Sequence, residues 1–261
     1  MWRRSTGARR GRTYTRIVCR AYRRVPFYRE QWAEAGTPSP VSAPVPASTV
    51  AAAGDRFMPL SAPDDPIPQL HGGELFDALM LTERYSPSDE LFDVREGLLD
   101  HTTIGPRGSG RYRVVLSSDA RVAPYDGEKL RDTTLSAYRS AANAVLLADD
   151  DQLAGLGIDP TASGSPDRRV LRRGDLTQLP SIDILMDTEL GYLGARRQSC
   201  GRFHVDENRL DVRELNGVLV FTRLDRENPT LLHIAPTGGS AVGLDRCASH
   251  DGLVLTAEGR A

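Results

Sequence analysis

From Ile182 to Thr256 the chain is cut into short β-prone runs of four or five residues, Ile182–Met186, Val218–Thr222, Leu231–Ala235 and Leu253–Thr256, separated by polar turns and glycine. Runs this short, with turn residues between them, cannot continue as helices, so the C-terminal third is expected to be mainly β. Upstream, Tyr112, Val114 and Leu116 alternate with less apolar neighbours as a strand does. Leu130 to Leu147 then reads as a helix with Leu130, Thr134, Tyr138, Ala141 and Val145 on one side. A strand leading into a helix implies an α/β layer. Residues 73–99 mix apolar and acidic positions and predict one or two short helices interrupted at Pro87, and residues 155–168 are turn-rich.

The N-terminus has a different character. Tyr14, Ile17, Val18, Ala21, Tyr22 and Val25 recur with the spacing of one helix face, with arginines outward. Pro26 can open a second short helix in which Tyr28 and Trp32 share a face, with Gly36 placed to end it. Residues 1–36 therefore form a helical arm. Residues 37–60 follow as a linker or surface strap, where Pro38, Pro40, Pro44 and Pro46 work against regular structure, and residues 61–261 form the main domain.

Residues 1–29 hold ten arginines and no acid, leaving 23 of the 33 Lys and Arg residues against 35 acids, a formal −12 for the rest. A basic arm on an acidic body suits a partner protein, a carrier protein or a phosphorylated ligand, and could also pair two copies of the chain. The bland alternative is a solvated helix face. No DNA- or RNA-binding motif accompanies it, so nucleic acid is not expected. No run approaches the roughly 20 apolar residues of a membrane span, and the arginine-rich start is not followed by a secretory core. With three scattered cysteines, too few for a disulfide framework, a cytoplasmic setting is expected.

The sharpest chemical signal is Cys200-Gly-Arg-Phe-His204 with Cys247-Ala-Ser-His250. Two thiolates and two imidazoles at these spacings suit tetrahedral Zn²⁺, each pair filling two corners from one loop. The alternative is a buried cysteine near each of two unrelated surface histidines. The pairs use two of only three cysteines and two of only five histidines, which favours the metal. Four protein ligands would leave no open position, making the zinc structural. A second signal is the Gly- and Ser/Thr-rich stretch 102–112, where Thr103, Gly105, Gly108, Ser109 and Gly110 could cradle phosphate but lack the GK[ST] ending of a P-loop. Asp187 and Glu189, after a β-prone run, could hold Mg²⁺ or sit in a solvated turn. There is no G-x-S-x-G, H-E-x-x-H or G-x-G-x-x-G.

Three stretches, in order, resemble the phenylacetate–CoA ligase branch of the adenylate-forming enzymes. Ala21-Tyr-Arg-Arg-Val-Pro-Phe-Tyr-Arg-Glu through Ala35-Gly36 is similar to its N-terminal "AY–VPFYR…AG" helix pair. Residues 102–116 resemble a damaged T-S-G-T-T-G-x-P phosphate loop. Within 182–260, Thr188-Glu189-Leu-Gly resembles "YG-x-TE-x-G", Cys200…His204 the metal-binding C…H, Gly217-Val-Leu-Val-Phe-Thr-Arg-Leu the "GELVVT-x-L" strand, and Thr237-Gly-Gly the "TGD" motif. Cys247 falls at the branch's later cysteine pair and Gly259-Arg260 at its "GR". The resemblance implies an α/β fragment of the adenylate-forming N-terminal domain, with a β-rich metal-holding part over 181–261.

The departures bear on function. Gly239 stands where the branch has the aspartate that holds the ribose of ATP, Leu185 where an aromatic lies near adenine, and His233-Ile234 in place of "RY". The sequence stops at Ala261, so the mobile C-terminal subdomain with its catalytic lysine is not expected, and the one lysine, Lys129, is elsewhere. ATP and CoA are therefore not expected as cofactors. The resemblance implies a ligase homologue without ATP-dependent activation, serving as a binding or partner protein for an aryl or acyl acid in bacterial biosynthesis. One alternative is ATP-independent acyl transfer, condensation or cyclisation, with Glu189, His233 or His101 as general base. Another is a ligase completed by a second chain.

Overall fold

A computed structural model describes residues 4–34, 43–60, 72–96, 111–120, 126–160, 167–226 and 228–257. The phosphate-loop candidates Thr103, Gly105, Gly108, Ser109 and Gly110, together with His101 and Gly36, lie outside the described residues. In chain order the elements are α1 (Arg4–Arg24), α2 (Pro26–Glu34), β1 (Val45–Pro46), α3 (Ala47–Ala52), α4 (Gly72–Leu81), β2 (Glu90–Arg95), β3 (Tyr112–Leu116), α5 (Gly127–Ser140), β4 (Ala144–Ala148), α6 (Asp150–Gly155) and β5 (Arg168–Gly174). There follow β6 (Ile184–Asp187), β7 (Gly191–Arg196), β8 (Phe203–Val205), β9 (Leu210–Leu215), β10 (Val218–Arg223), β11 (Ile234–Ala235), β12 (Val242–Arg246) and β13 (Leu253–Ala257).

The fold is mixed α/β. A nine-stranded sheet runs in the order β12-β13-β8-β7-β6-β5-β4-β2-β3, and a four-stranded sheet in the order β1-β11-β10-β9. From β3 to β6 neighbouring strands are parallel; from β6 through β7, β8 and β13 to β12 they are antiparallel. The β-rich C-terminal third thus matches its reading, and the strand beginning at Tyr112 is present. Helix α5 ends at Ser140 where the periodicity had suggested continuation to Leu147, and residues 144–148 form β4 instead. The sequence Ala-Val-Leu-Leu-Ala is buried throughout, and an apolar run hidden on both faces by a parallel sheet gives no periodicity to separate strand from helix. A second helix before residue 99 is likewise replaced by β2, whose interior Asp93 disguised it. Within the strap, residues 43–60 are described and are more regular than its prolines predict. Val45-Pro46 pairs in parallel with Ile234-Ala235, with Pro46 on an edge strand, and helix α3 follows at once.

The N-terminal helices pack onto the body. Ala21, Val25, Tyr28 and Trp32 join Phe57, Leu219 and Leu232 in the largest core cluster, while Tyr22 remains 46% exposed. The buried Tyr28 hydroxyl donates to the Leu232 carbonyl at 3.1 Å and accepts from the Leu232 N–H at 2.8 Å. Arg10 pairs with Glu207 and with Asp211. The inner face of α1 is therefore a packing surface, and Arg10 on its polar face is engaged with the acidic body.

Candidate metal centre

Two β-hairpins meet side by side at one end of the large sheet. The β7–β8 hairpin turns through Arg197–Arg202, closed by Arg197 N–H to Arg202 O at 2.9 Å and Gly201 N–H to Arg197 O at 2.8 Å. Gly201 sits at φ +67°, in the left-handed region that glycine occupies without strain. This turn presents Cys200, and His204 follows on β8. The β12–β13 hairpin turns through Cys247–Gly252, closed by Cys247 N–H to Gly252 O at 2.8 Å and Asp251 N–H to Cys247 O at 3.1 Å. Because β13 pairs with β8, with Val254 opposite His204, the two turns are neighbours.

Cys200, His204, Cys247 and His250 therefore converge, with their ligand atoms all within 4.8 Å of one another. Cys200 Sγ lies 3.2 Å from His204 Nε2, and Cys247 Sγ lies 3.5 Å from His250 Nδ1. A tetrahedron with metal–sulfur bonds of about 2.3 Å and metal–nitrogen bonds of about 2.05 Å has sulfur–nitrogen edges of roughly 3.5 Å. The apposition thus fits a metal ion with little rearrangement. His204 and Cys247 are buried, and Cys200 and His250 are half-buried.

The electrostatics suit the same role. Burial, with help from Arg197 and His250, lowers the His204 pKa and favours the neutral, ligating imidazole. Burial opposes ionisation of Cys247, but hydrogen bonds from His250, from the Ser249 and His250 backbone and from Cys200 outweigh it and bring the thiol to about 7. Outside the quartet, Ser199 Oγ is 3.1 Å from His250 Nε2, the ring nitrogen that ligation through Nδ1 would leave free. Glu83 Oε2 accepts from the Ser199 N–H at 2.9 Å, and Arg197 pairs with Glu83 at 2.7 Å. Ser199 borders a ligand in sequence, whereas Glu83 is more than a hundred residues away and gives no local signal.

The other candidate residues fall elsewhere. Asp187 Oδ1 accepts from the Glu189 and Leu190 N–H groups, both at 2.9 Å, so it organises the β6–β7 turn. Burial and the Asp187 charge push the Glu189 carboxyl up. His233 is buried at φ +55°, its Nε2 lying 2.7 Å from Tyr14 Oη and its N–H donating to Thr222 Oγ1 at 3.1 Å. Tyr14 in turn lies under Arg213, whose guanidinium carbon is 3.6 Å from the ring centre. Different elements hold Glu189 and His233, and α1 covers the histidine. Leu185 is fully buried core, and Lys129 is exposed on α5.

No protein-family model matches the chain, and no curated protein matches it.

Proposed function

We propose that this chain is a non-adenylating relative of the phenylacetate–CoA ligase branch, which keeps a structural zinc and serves a bacterial biosynthetic pathway as a binding or partner protein for an aryl or acyl acid. The observation that carries this reading is the closed quartet: Cys200, His204, Cys247 and His250 fill all four corners a zinc ion offers, leaving none for substrate or water. Zinc in that place would brace the two hairpins through these four side chains and perform no chemistry on a substrate.

The position that resembles the ribose-holding aspartate supports the same reading. A Cβ added at Gly239 would sit 3.0 Å from the Leu219 carbonyl oxygen, so a carboxylate side chain there fits only if the Leu219 backbone gives slightly. Burial of Leu185 leaves no side chain at that position to stack on adenine from the surface. The arginine-bearing side of α1 would face the partner protein.

Metal analysis and ATP–pyrophosphate exchange test the proposal together. Close to one zinc per chain, with no exchange across aryl and short acyl acids, is the expected outcome. Exchange by the isolated chain would overturn the non-adenylating reading. Less than about half an equivalent of zinc, with no loss of stability in Cys200→Ala, would overturn the metal assignment.

A further inference from the structure

A second convergence of chemistry lies on the opposite half of the large sheet. On the face that packs against α4, Asp93 and Arg95 continue the line of Leu91 along β2, and Arg173 continues that of Leu171 along β5. Asp93 is level with Leu147 and Leu147 with Leu171, so Arg95 and Arg173, each two residues on, reach the carboxyl edge of the parallel strands together. Strand β2 leads to β3 on one side while β4 leads to β5 on the other. The crevice between β2 and β4 is thus the point where the winding of the sheet reverses, the place where open α/β sheets receive ligands.

Asp93 is wholly committed. Its Oδ1 accepts from Arg173 Nη1 at 2.8 Å, and its Oδ2 accepts from Arg95 Nε and from Tyr112 Oη, both at 2.7 Å. Arg173 Nη2 is also spent, on the Val94 carbonyl at 2.6 Å and Gln152 Oε1 at 2.9 Å. Among the described residues Asp93 is the only acid within ion-pair distance of either guanidinium. Two arginines therefore share one carboxylate, with Arg173 5% and Arg95 18% exposed. A net positive charge at that depth costs free energy that a bound anion recovers.

The spare hydrogen-bonding capacity has the same sense. Tyr192 Oη accepts from Arg95 Nη2 at 3.0 Å and also from the Arg173 guanidinium, and it donates to no partner among the described residues; Arg95 Nη1 makes no bond among them either. Burial and the Asp93 charge raise the Tyr192 pKa, keeping its hydroxyl a donor. The cluster offers donors and positive charge, and both oxygens of its one carboxylate are already taken. A planar carboxylate, with two oxygens to take a guanidinium N–H and a phenolic O–H, matches that offer.

We propose that Arg95 and Tyr192, backed by Arg173, hold the carboxylate of an aryl or acyl acid in the crevice between β2 and β4. The site rests on the acid-binding reading above and gives the acid an anchor that needs no nucleotide. Arg95 and Tyr192 are its binding residues, and Arg173 and Asp93 position Arg95.

The test titrates the zinc-loaded full chain with benzoate, phenylacetate and hexanoate, and in a separate arm with inorganic phosphate, by calorimetry and melting temperature. Saturable binding of a carboxylate, with phosphate weaker, is expected. Tyr192→Phe and Arg95→Gln should each weaken it by about tenfold or more, as loss of a charge-assisted hydrogen bond does. Failure of all three carboxylates to saturate, preference for phosphate, or unchanged affinity in both variants would overturn the site. Zinc content and far-UV spectra verify that the variants fold; if neither folds, the comparison of carboxylate with phosphate on the unaltered chain decides. ATP–pyrophosphate exchange on the same preparation separates the two proposals. Exchange together with carboxylate binding removes the non-adenylating reading and leaves the site, whereas neither exchange nor binding removes the site alone.

Discussion

Removing the proposed zinc from the Cys200/His204/Cys247/His250 cluster should lower stability by an amount set by its affinity. The sulfur–nitrogen separations of 3.2 and 3.5 Å differ little from the roughly 3.5 Å edges of a zinc tetrahedron, so the two hairpins hold the four side chains near the coordinating arrangement. Backbone pairing of β12 with β13 and of β13 with β8 holds them there, so metal loss should loosen the hairpins without unfolding the sheet. The metal's contribution is then a linkage term, about 4 kcal/mol when free zinc exceeds its dissociation constant roughly 1,000-fold. At about 2–4 °C per kcal/mol for a chain of this size, EDTA should lower the melting temperature by roughly 8–16 °C. Calorimetry of loaded and EDTA-treated protein measures the shift, and hydrogen exchange should place the lost protection in β8, β12 and β13. Cys200→Ala should melt with the EDTA-treated protein and show no further drop in EDTA, because one ligand and the metal act as a unit. Identical melting of a fully loaded and a fully stripped sample would refute the bracing role.

Glu74→Ala should destabilise by about 3 kcal/mol, read as a fall in urea midpoint at constant slope, because Glu74 accepts from Arg223 at 2.8 Å and also pairs with Arg209 and Arg226. The Asp225 and Asp206 contacts that remain to Arg223 and Arg209 keep the loss from being larger. Gly194→Ala should disrupt the β7–β8 pairing and reduce zinc content, since its Cβ would lie 2.1 Å from the His204 carbonyl oxygen; unchanged zinc binding would refute this. Burial alone would raise the Asp225 pKa, but the Arg223 hydrogen bond and charge lower it below its ordinary 3.8. Its contribution is therefore complete above about pH 4 and lost as pH falls through the depressed folded value, and Asp225→Asn should flatten the acid limb of a stability–pH curve below pH 4.

Local chemistry was the legible part of this sequence. The Cys/His spacing needed only one hairpin turn to bring each pair together, and helix α1 declared its inner face because Ile17 and Ala21, with Val25 just beyond its end, repeat at helical intervals. What stayed hidden was written in side chains that break the pattern of their own element. In Glu-Leu-Phe-Asp-Val-Arg of β2 and Arg-Val-Leu-Arg-Arg of β5, charges interrupt the apolar runs and read as solvated helix or turn. They are tolerated inside the sheet only because Asp93 and Arg173 meet across 80 residues of chain, a pairing that exists after the parallel strands have assembled. Periodicity reports which face of an element is buried, but it cannot report that a charge is buried against its partner. In this fold the two sites differ in that respect. The candidate metal centre is assembled from hairpin neighbours and is visible as spacing, whereas the proposed arginine–tyrosine site is assembled from β2, β5 and β7 and becomes visible only as an excess of buried positive charge.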